Sequence, residues 1–219
     1  MRLHVGVSVF VALLVVVSGA WAGIVPITNP SFESPSCGTV GPATCAPTGW
    51  TVSGAANAFL PGSGAFQSIP DGLQVAYSNG GTLSQVLSTV IAANTTYTLS
   101  VWVSERVGDT FSPAIELLGG SNVLFTMSTS NPGGALPTQS DGGSTPYDWV
   151  DWTMSYTSPA SGAIIGQALG ISLGAGAAQS DFDNVSLTSA PVSSVPEPAM
   201  FALVGVGLLG LVTRRRFAK

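Results

Sequence analysis

Tyr97-Thr98-Leu99-Ser100-Val101-Trp102-Val103-Ser104-Glu105-Arg106 is the stretch on which the fold turns. Tyr97, Leu99, Val101 and Val103 alternate with Thr98, Ser100, Trp102, Ser104 and Arg106. A period of two belongs to a strand that buries one face and turns the other to water. Val150 to Thr157 repeats the pattern: Val150, Trp152, Met154 and Tyr156 inward, Asp151, Thr153 and Ser155 outward, with Trp149 just before them on the outward parity. Shorter candidates are Ile24 to Thr28, Trp50 to Ser53, Gln74 to Tyr77, Thr82 to Leu87, Ala114 to Leu118, Asn122 to Thr126, Ala163 to Leu173 and Asp183 to Thr188. Clusters of Gly, Ser, Thr, Asn and Pro separate them, and no stretch long enough for a helix keeps a 3.6-residue period. About ten strands with no helix to cover a sheet predict an all-β fold of two antiparallel sheets packed face to face. Trp50, Trp152, Tyr156 and Tyr97 are expected in its core.

The chain is 45% apolar and 8% charged, which excludes a disordered protein, and its 27 Gly argue against a helical bundle. Five of the six basic residues, Arg2, Arg214, Arg215, Arg216 and Lys219, sit at the extreme ends. Between Gly23 and Val195 there is one base, Arg106, against ten acids, a net charge of −9 that repels phosphate backbones and excludes nucleic acid as a partner. The one histidine is His4. Nucleophilic triads and zinc hydrolysis therefore lack a base and ligands in the body. Two carboxylates suffice for glycoside cleavage, and Glu105, Glu116 and Asp151 are available, but no pairing is visible, so the expectation is a protein that is not an enzyme.

Both ends read as addresses. Arg2, the apolar run Val5 to Gly19 and the small residues of Ala20-Trp21-Ala22 make residues 1–22 a secretory signal peptide, removed by signal peptidase. A membrane anchor is the alternative, but the run falls short of the ~20 residues that span a bilayer. At the other end come Pro196-Glu197-Pro198, an uncharged run from Ala199 to Val212, and Arg214-Arg215-Arg216. As a helix, 199–212 is a short transmembrane anchor of about 21 Å, and its Arg cluster stays cytoplasmic, leaving the body outside. Residues 23–190 are then the sandwich and 191–195 a linker.

The tail 196–219 resembles the PEP-CTERM sorting signal of Gram-negative bacteria. That resemblance implies recognition by an exosortase, processing near Pro196, Glu197 and Pro198, and transient anchoring in the inner membrane. The destination it implies is the cell surface or extracellular matrix of a bacterium that makes extracellular polysaccharide, the setting of a biofilm. In the body, Asn29-Pro30-Ser31-Phe32-Glu33, Gly49-Trp50, Thr96-Tyr97-Thr98-Leu99-Ser100-Val101-Trp102 and Phe182-Asp183-Asn184-Val185-Ser186-Leu187 occur in an order similar to the galactose-binding-like jelly-roll domains, carbohydrate-binding modules among them. These imply a jelly-roll β-sandwich, often a structural calcium, and frequently sugar binding.

Two sites follow. Asp183 shares the parity of Val185 and Leu187, which aims its carboxylate toward the core side, where a buried charge needs a partner. Glu33 stands where the resemblance places a calcium ligand, so a calcium site of Glu33, Asp183, backbone carbonyls and Asn29 is expected; the alternative is that both acids are solvated at strand ends. Sugar recognition needs flat aromatic faces and planar polar groups on a water-facing surface, and Trp102, Arg106, Trp149 and Asp151 make the carbohydrate candidate. Loops covering that face would instead make Trp102 and Trp149 packing residues. Cys37 and Cys45, the two cysteines of an exported chain, are expected to pair as a disulfide. The irregular stretch Ser128 to Tyr147 is a loop of undetermined role.

Overall fold

The computed structural model describes residues 22–41, 44–108, 110–139, 146–176 and 178–192. The signal peptide, the 199–212 anchor and the Arg cluster lie outside them. Strand follows strand: β1 (Gly23–Ile24), β2 (Thr44–Cys45), β3 (Thr51–Ser53), β4 (Ala56–Phe59), β5 (Val75–Ser78), β6 (Thr82–Val90), β7 (Thr95–Glu105), β8 (Pro113–Gly119), β9 (Asn122–Ser128), β10 (Val150–Thr157), β11 (Ala168–Ala175) and β12 (Ser180–Pro191). One sheet runs β10-β7-β12-β5-β4-β2, with β1 added beside β12; the other runs β3-β6-β11-β8-β9. All pairings are antiparallel. This is the expected all-β sandwich, and the two long alternating stretches, β7 and β10, lie side by side with Trp102 opposite Asp151.

The alternation works as the sequence predicts. Tyr97, Leu99, Val101 and Val103 are each at most 1% exposed and meet Leu83, Ile115, Leu117, Ile171 and Leu173 from the other sheet in one core with the fully buried Trp152. Each such side chain removed from water contributes roughly 1.5 to 3 kcal/mol. The β8–β9 hairpin turns through Gly120 and Ser121, with Gly120 at φ 60°, the first central position at which two-residue turns take glycine. Residues 133–138 of the irregular stretch pack beside β10 and the residues just before it. Thr153 N donates to Gly133 O at 3.0 Å, and the Trp152 indole donates to Ala135 O at 2.6 Å.

Two differences from the sequence reading matter for function. β12 begins at Ser180 and keeps its pairing to Pro191, opposite Thr95, so the sandwich reaches past Ala190. More important, β12 carries a bulge: its register against β7 shifts between Asp183 and Ser186, and Asn184 sits at φ 45°. An extra residue in one strand inverts the parity on its two sides. Asp183 therefore pairs with Trp102 and lies on the outward face, while Phe182 joins Val185 and Leu187 in the core. The expectation that Asp183 points inward is corrected by that one residue.

The Cys37–Cys45 disulfide is formed, with Cα atoms 5.2 Å apart. Closing so short a loop is worth about 2 to 3 kcal/mol in the chain-entropy account. Cys37→Ser with Cys45→Ser is expected to lower stability by about that much, read as a shift of the denaturant midpoint.

Candidate functional site: a loop-covered acidic cluster and an adjoining cleft

Segment 60–74 crosses the outward face of the larger sheet. Its Phe66 meets Trp149 at 4.9 Å between ring centroids and Phe59 at 6.4 Å; Ala65 and Ile69 join a second apolar cluster with Val75, Tyr77 and Trp102. Trp149 is buried, 7% exposed, and its indole N–H has no acceptor among the described residues. Trp102 is half-buried at the edge of the cluster. Trp149 is thus covered by the chain's own loop, while Trp102 keeps part of its surface open at the cluster's edge.

Three acids fasten that loop. Glu33 Oε1 accepts the backbone N–H of Leu73 at 2.8 Å and of Gln74 at 2.7 Å, and Gln74 Nε2 donates to Phe32 O at 2.8 Å. Ser31 Oγ donates to Asp71 Oδ2 at 2.5 Å, while Asp71 N donates to Asp183 Oδ2 at 3.0 Å and Asn184 N to Asp183 Oδ1 at 2.7 Å. Asp183 is wholly buried. Burial pushes its carboxyl from 3.8 up to about 7; the hydrogen bonds from Asp71 and Asn184 oppose that rise, and the charges of Asp71 and Glu33 add to it.

Backbone strain gathers at the same place. Asn29 (φ 52°), Phe32 (φ 60°), Gly72 (φ 69°) and Asn184 (φ 45°) are all left-handed. For a residue as large as Phe32 this costs on the order of 1 to 3 kcal/mol, and such strain concentrates where ligands are held. A Cβ at Gly72 would run into the Glu33 carboxylate, so only glycine lets the loop approach. Gly72→Ala is expected to loosen the loop, raising exchange of the Leu73 and Gln74 amides.

Glu33 and Asp183 are brought together as the sequence reading expects, but Asn29 is committed elsewhere. Its Oδ1 accepts Ser34 N at 3.1 Å, and its Nδ2 donates to Ser34 O at 2.7 Å and Thr48 O at 3.3 Å. Asp71, unrecognised in the sequence because it sits in a Gly/Pro-rich loop, is the third acid. Among the described residues no group of three or more His, Cys, Asp or Glu stands so that it could hold a metal ion as it lies, and Glu33 Oε1, Asp71 Oδ2 and both Asp183 oxygens accept protein donors instead.

The remaining predicted residues separate. Asp151 is exposed and accepts a hydrogen bond from Ser100 Oγ. Arg106 lies beyond the covered cluster, lining two adjoining hollows of about 190 and 230 Å³ that share Gly41, Phe59 and Arg106. Tyr77, Gln179 and Thr44 line the first, Gly62 and Ala65 the second. The disulfide loop supplies Gly41 and Thr44, so the bridge frames this cleft. The acids offered for glycoside cleavage do not converge. Glu105 is buried in the row of Ser180 and hydrogen-bonds Tyr147, whose hydroxyl is raised by burial and by Glu105; Glu116 lies on the smaller sheet opposite Ser172.

A family profile described as HpiC1-like, HpiC1 cyclase, matches residues 24–188. The chain belongs to the HpiC1-like family. The sandwich of this HpiC1-like protein is similar to the apo form of a cyclase from Fischerella sp., with a TM-score of 0.63 and 26% identity over 79% of this chain and 98% of that one. It is equally similar to the Stig cyclase Fisc from Fischerella sp. TAU, solved with (3Z)-3-(1-methyl-2-pyrrolidinylidene)-3H-indole, at a TM-score of 0.63 and 25% identity over 79% of this chain and all of that one. A carbohydrate-binding module, TmCBM61 in complex with beta-1,4-galactotriose, lies further off, with a TM-score of 0.43 and 16% identity over 74% of this chain and 95% of that one. No curated protein matches. The PEP-CTERM protein-sorting motif matches residues 194–216, taking in Pro196-Glu197-Pro198, the run 199–212, which fits a terminal membrane helix, and Arg214-Arg215-Arg216. The protein is therefore an exported one, processed at the membrane by an exosortase.

Proposed function

We propose that this HpiC1-like protein is a non-enzymatic component of the bacterial surface or matrix that holds extracellular polysaccharide in the cleft at Arg106. One observation carries the reading: the Tyr77 and Phe59 rings, the Arg106 guanidinium, the Gln179 amide and the Thr44 hydroxyl line one open hollow on the outward face. The half-buried Tyr77 ring would take the C–H face of a pyranose and the exposed Arg106 guanidinium its hydroxyls, while buried Phe59 and Gln179, whose Nε2 donates to Asp181 Oδ1, shape the wall. The exosortase motif supports delivery to the place where such polymers lie. Purified exported protein on a broad glycan panel is expected to bind saturably, and Arg106→Ala to lose at least tenfold in affinity with an unchanged melting temperature; a folded protein that binds nothing on the panel overturns the reading.

Calcium belongs to the same proposal. Glu33, Asp71 and Asp183 form an all-oxygen, anionic set, and Arg106, the body's one base, lies in the cleft instead. That chemistry suits a hard cation, which would neutralise the three acids; Glu33 and Asp183, with Asp71 in place of Asn29, would hold it together with backbone carbonyls. Its role would be to keep segment 60–74 closed over Trp149.

Family membership favours a second reading, a cyclase-type enzyme. In that reading Asp183, with a carboxyl raised to about 7 opposite Trp102, would serve as the proton-donating acid, which requires segment 60–74 to open. Turnover of an indole-bearing substrate that Asp183→Asn abolishes would establish it and displace the first.

A further inference from the structure

We propose that the outward face of β10, β7 and β12 beyond Trp102 is a second docking surface, for the flat face of an uncharged, assembled polysaccharide. In register, Thr98 faces Ser155 on one side and Thr188 on the other. Two residues on, Ser100 faces Thr153 and Ser186; two residues back, Thr96 faces Thr157 and Ala190. Eight of these nine positions carry a hydroxyl and none carries a charge, in a body with ten acids. Water-facing sheets and edge strands such as β10 ordinarily carry charges, above all lysine, that keep other molecules off.

The grid is regular and held. Neighbouring strands lie about 4.8 Å apart and alternate residues along a strand about 6.8 Å. Thr96 and Thr157 hydroxyls are 2.9 Å apart and those of Thr98 and Ser155 2.7 Å, so their orientations are mutually fixed. Each hydroxyl is both donor and acceptor, and the surface complementary to such a lattice is another neutral array of hydroxyls. The net charge of −9 turns anionic polymers away; the one carboxylate beside the grid, Asp151, lies at its border opposite Trp102 and accepts from Ser100 Oγ. Ile24, 86% exposed and paired with Thr188, extends one row with an apolar group that suits sugar C–H. The surface goes beyond the cleft reading: the cleft takes a few units of a soluble chain, the grid the side of an assembled one.

The test is co-sedimentation of the full exported protein with microcrystalline cellulose and with insoluble chitin, beside Arg106→Ala and a Thr98→Val, Ser155→Ala, Thr188→Val variant. These changes remove three hydroxyls and keep strand-compatible residues. We expect wild type and Arg106→Ala to sediment alike and the triple variant to bind at least tenfold more weakly with an unchanged melting temperature. Wild-type protein that stays in solution with both polymers, a triple variant that binds as wild type, or binding confined to ice crystals overturns the proposal. Loss of soluble-glycan binding in Arg106→Ala alone bears on the cleft and not on this face.

Discussion

In the presence of a chelator, the protein is expected to lose stability as the pH rises from about 4 to about 8, by on the order of 4 kcal/mol, and calcium is expected to restore it at the upper end. The source is Asp183, wholly buried, its carboxyl moved from 3.8 up to about 7. Because the folded value lies above the unfolded one, its contribution is fully present below 3.8, fades as the pH climbs, and is gone once the pH has passed about 7. A move of that size corresponds to on the order of 4 kcal/mol. A cation held by Glu33, Asp71 and Asp183 reverses the sign, since it favours the carboxylate. Asp183→Asn is therefore expected to stabilise the protein at pH 8 in chelator and to destabilise it in calcium. Melting curves that overlay in chelator and in calcium at pH 8 would remove the cation from the account.

Trp152→Ala is expected to cost about 3 to 5 kcal/mol, a large part of the roughly 5 to 15 kcal/mol that holds a domain folded. Trp152 has no exposed surface, stands edge-on to Phe111 at 5.4 Å, and donates its indole N–H to Ala135. The change leaves a cavity between the sheets, an orphaned Ala135 carbonyl and a loosened 133–135 segment. A fall of less than 1 kcal/mol in chemical denaturation would mean that the core does not run through this residue.

The residues that were legible are those whose neighbours along the chain are also their environment. Tyr97 to Arg106 and Val150 to Thr157 announce themselves by alternation, and their registers follow. Ala56 to Phe59 escaped because small residues and an asparagine carry little strand signal, yet Ala56 and Ala58 are buried. Asp183 was recognised as a site residue but assigned the wrong face, because the bulge at Asn184 is a backbone event that a residue pattern does not display. Asp71, Gln74 and Phe66 gain meaning only when segment 60–74 folds across the sheet. The cleft joins Thr44, Phe59, Tyr77, Arg106 and Gln179, which are far apart in sequence, so only Arg106, the lone base, stood out beforehand.

The loop also decides what the tryptophans do. Trp102 and Trp149 are the sequence's candidates for sugar stacking on an open face; with Phe66 laid against Trp149 and Trp102 half-buried at the cluster's edge, the aromatic surface at the cleft is that of Tyr77. The most direct measurement is a calorimetric titration of the exported protein with its host's own extracellular polysaccharide, alongside Tyr77→Ala. The account predicts saturable binding by the wild type, at least tenfold weaker in the variant at the same melting temperature. A folded wild type that takes up no polysaccharide, or a Tyr77→Ala protein that binds it equally well, would contradict it.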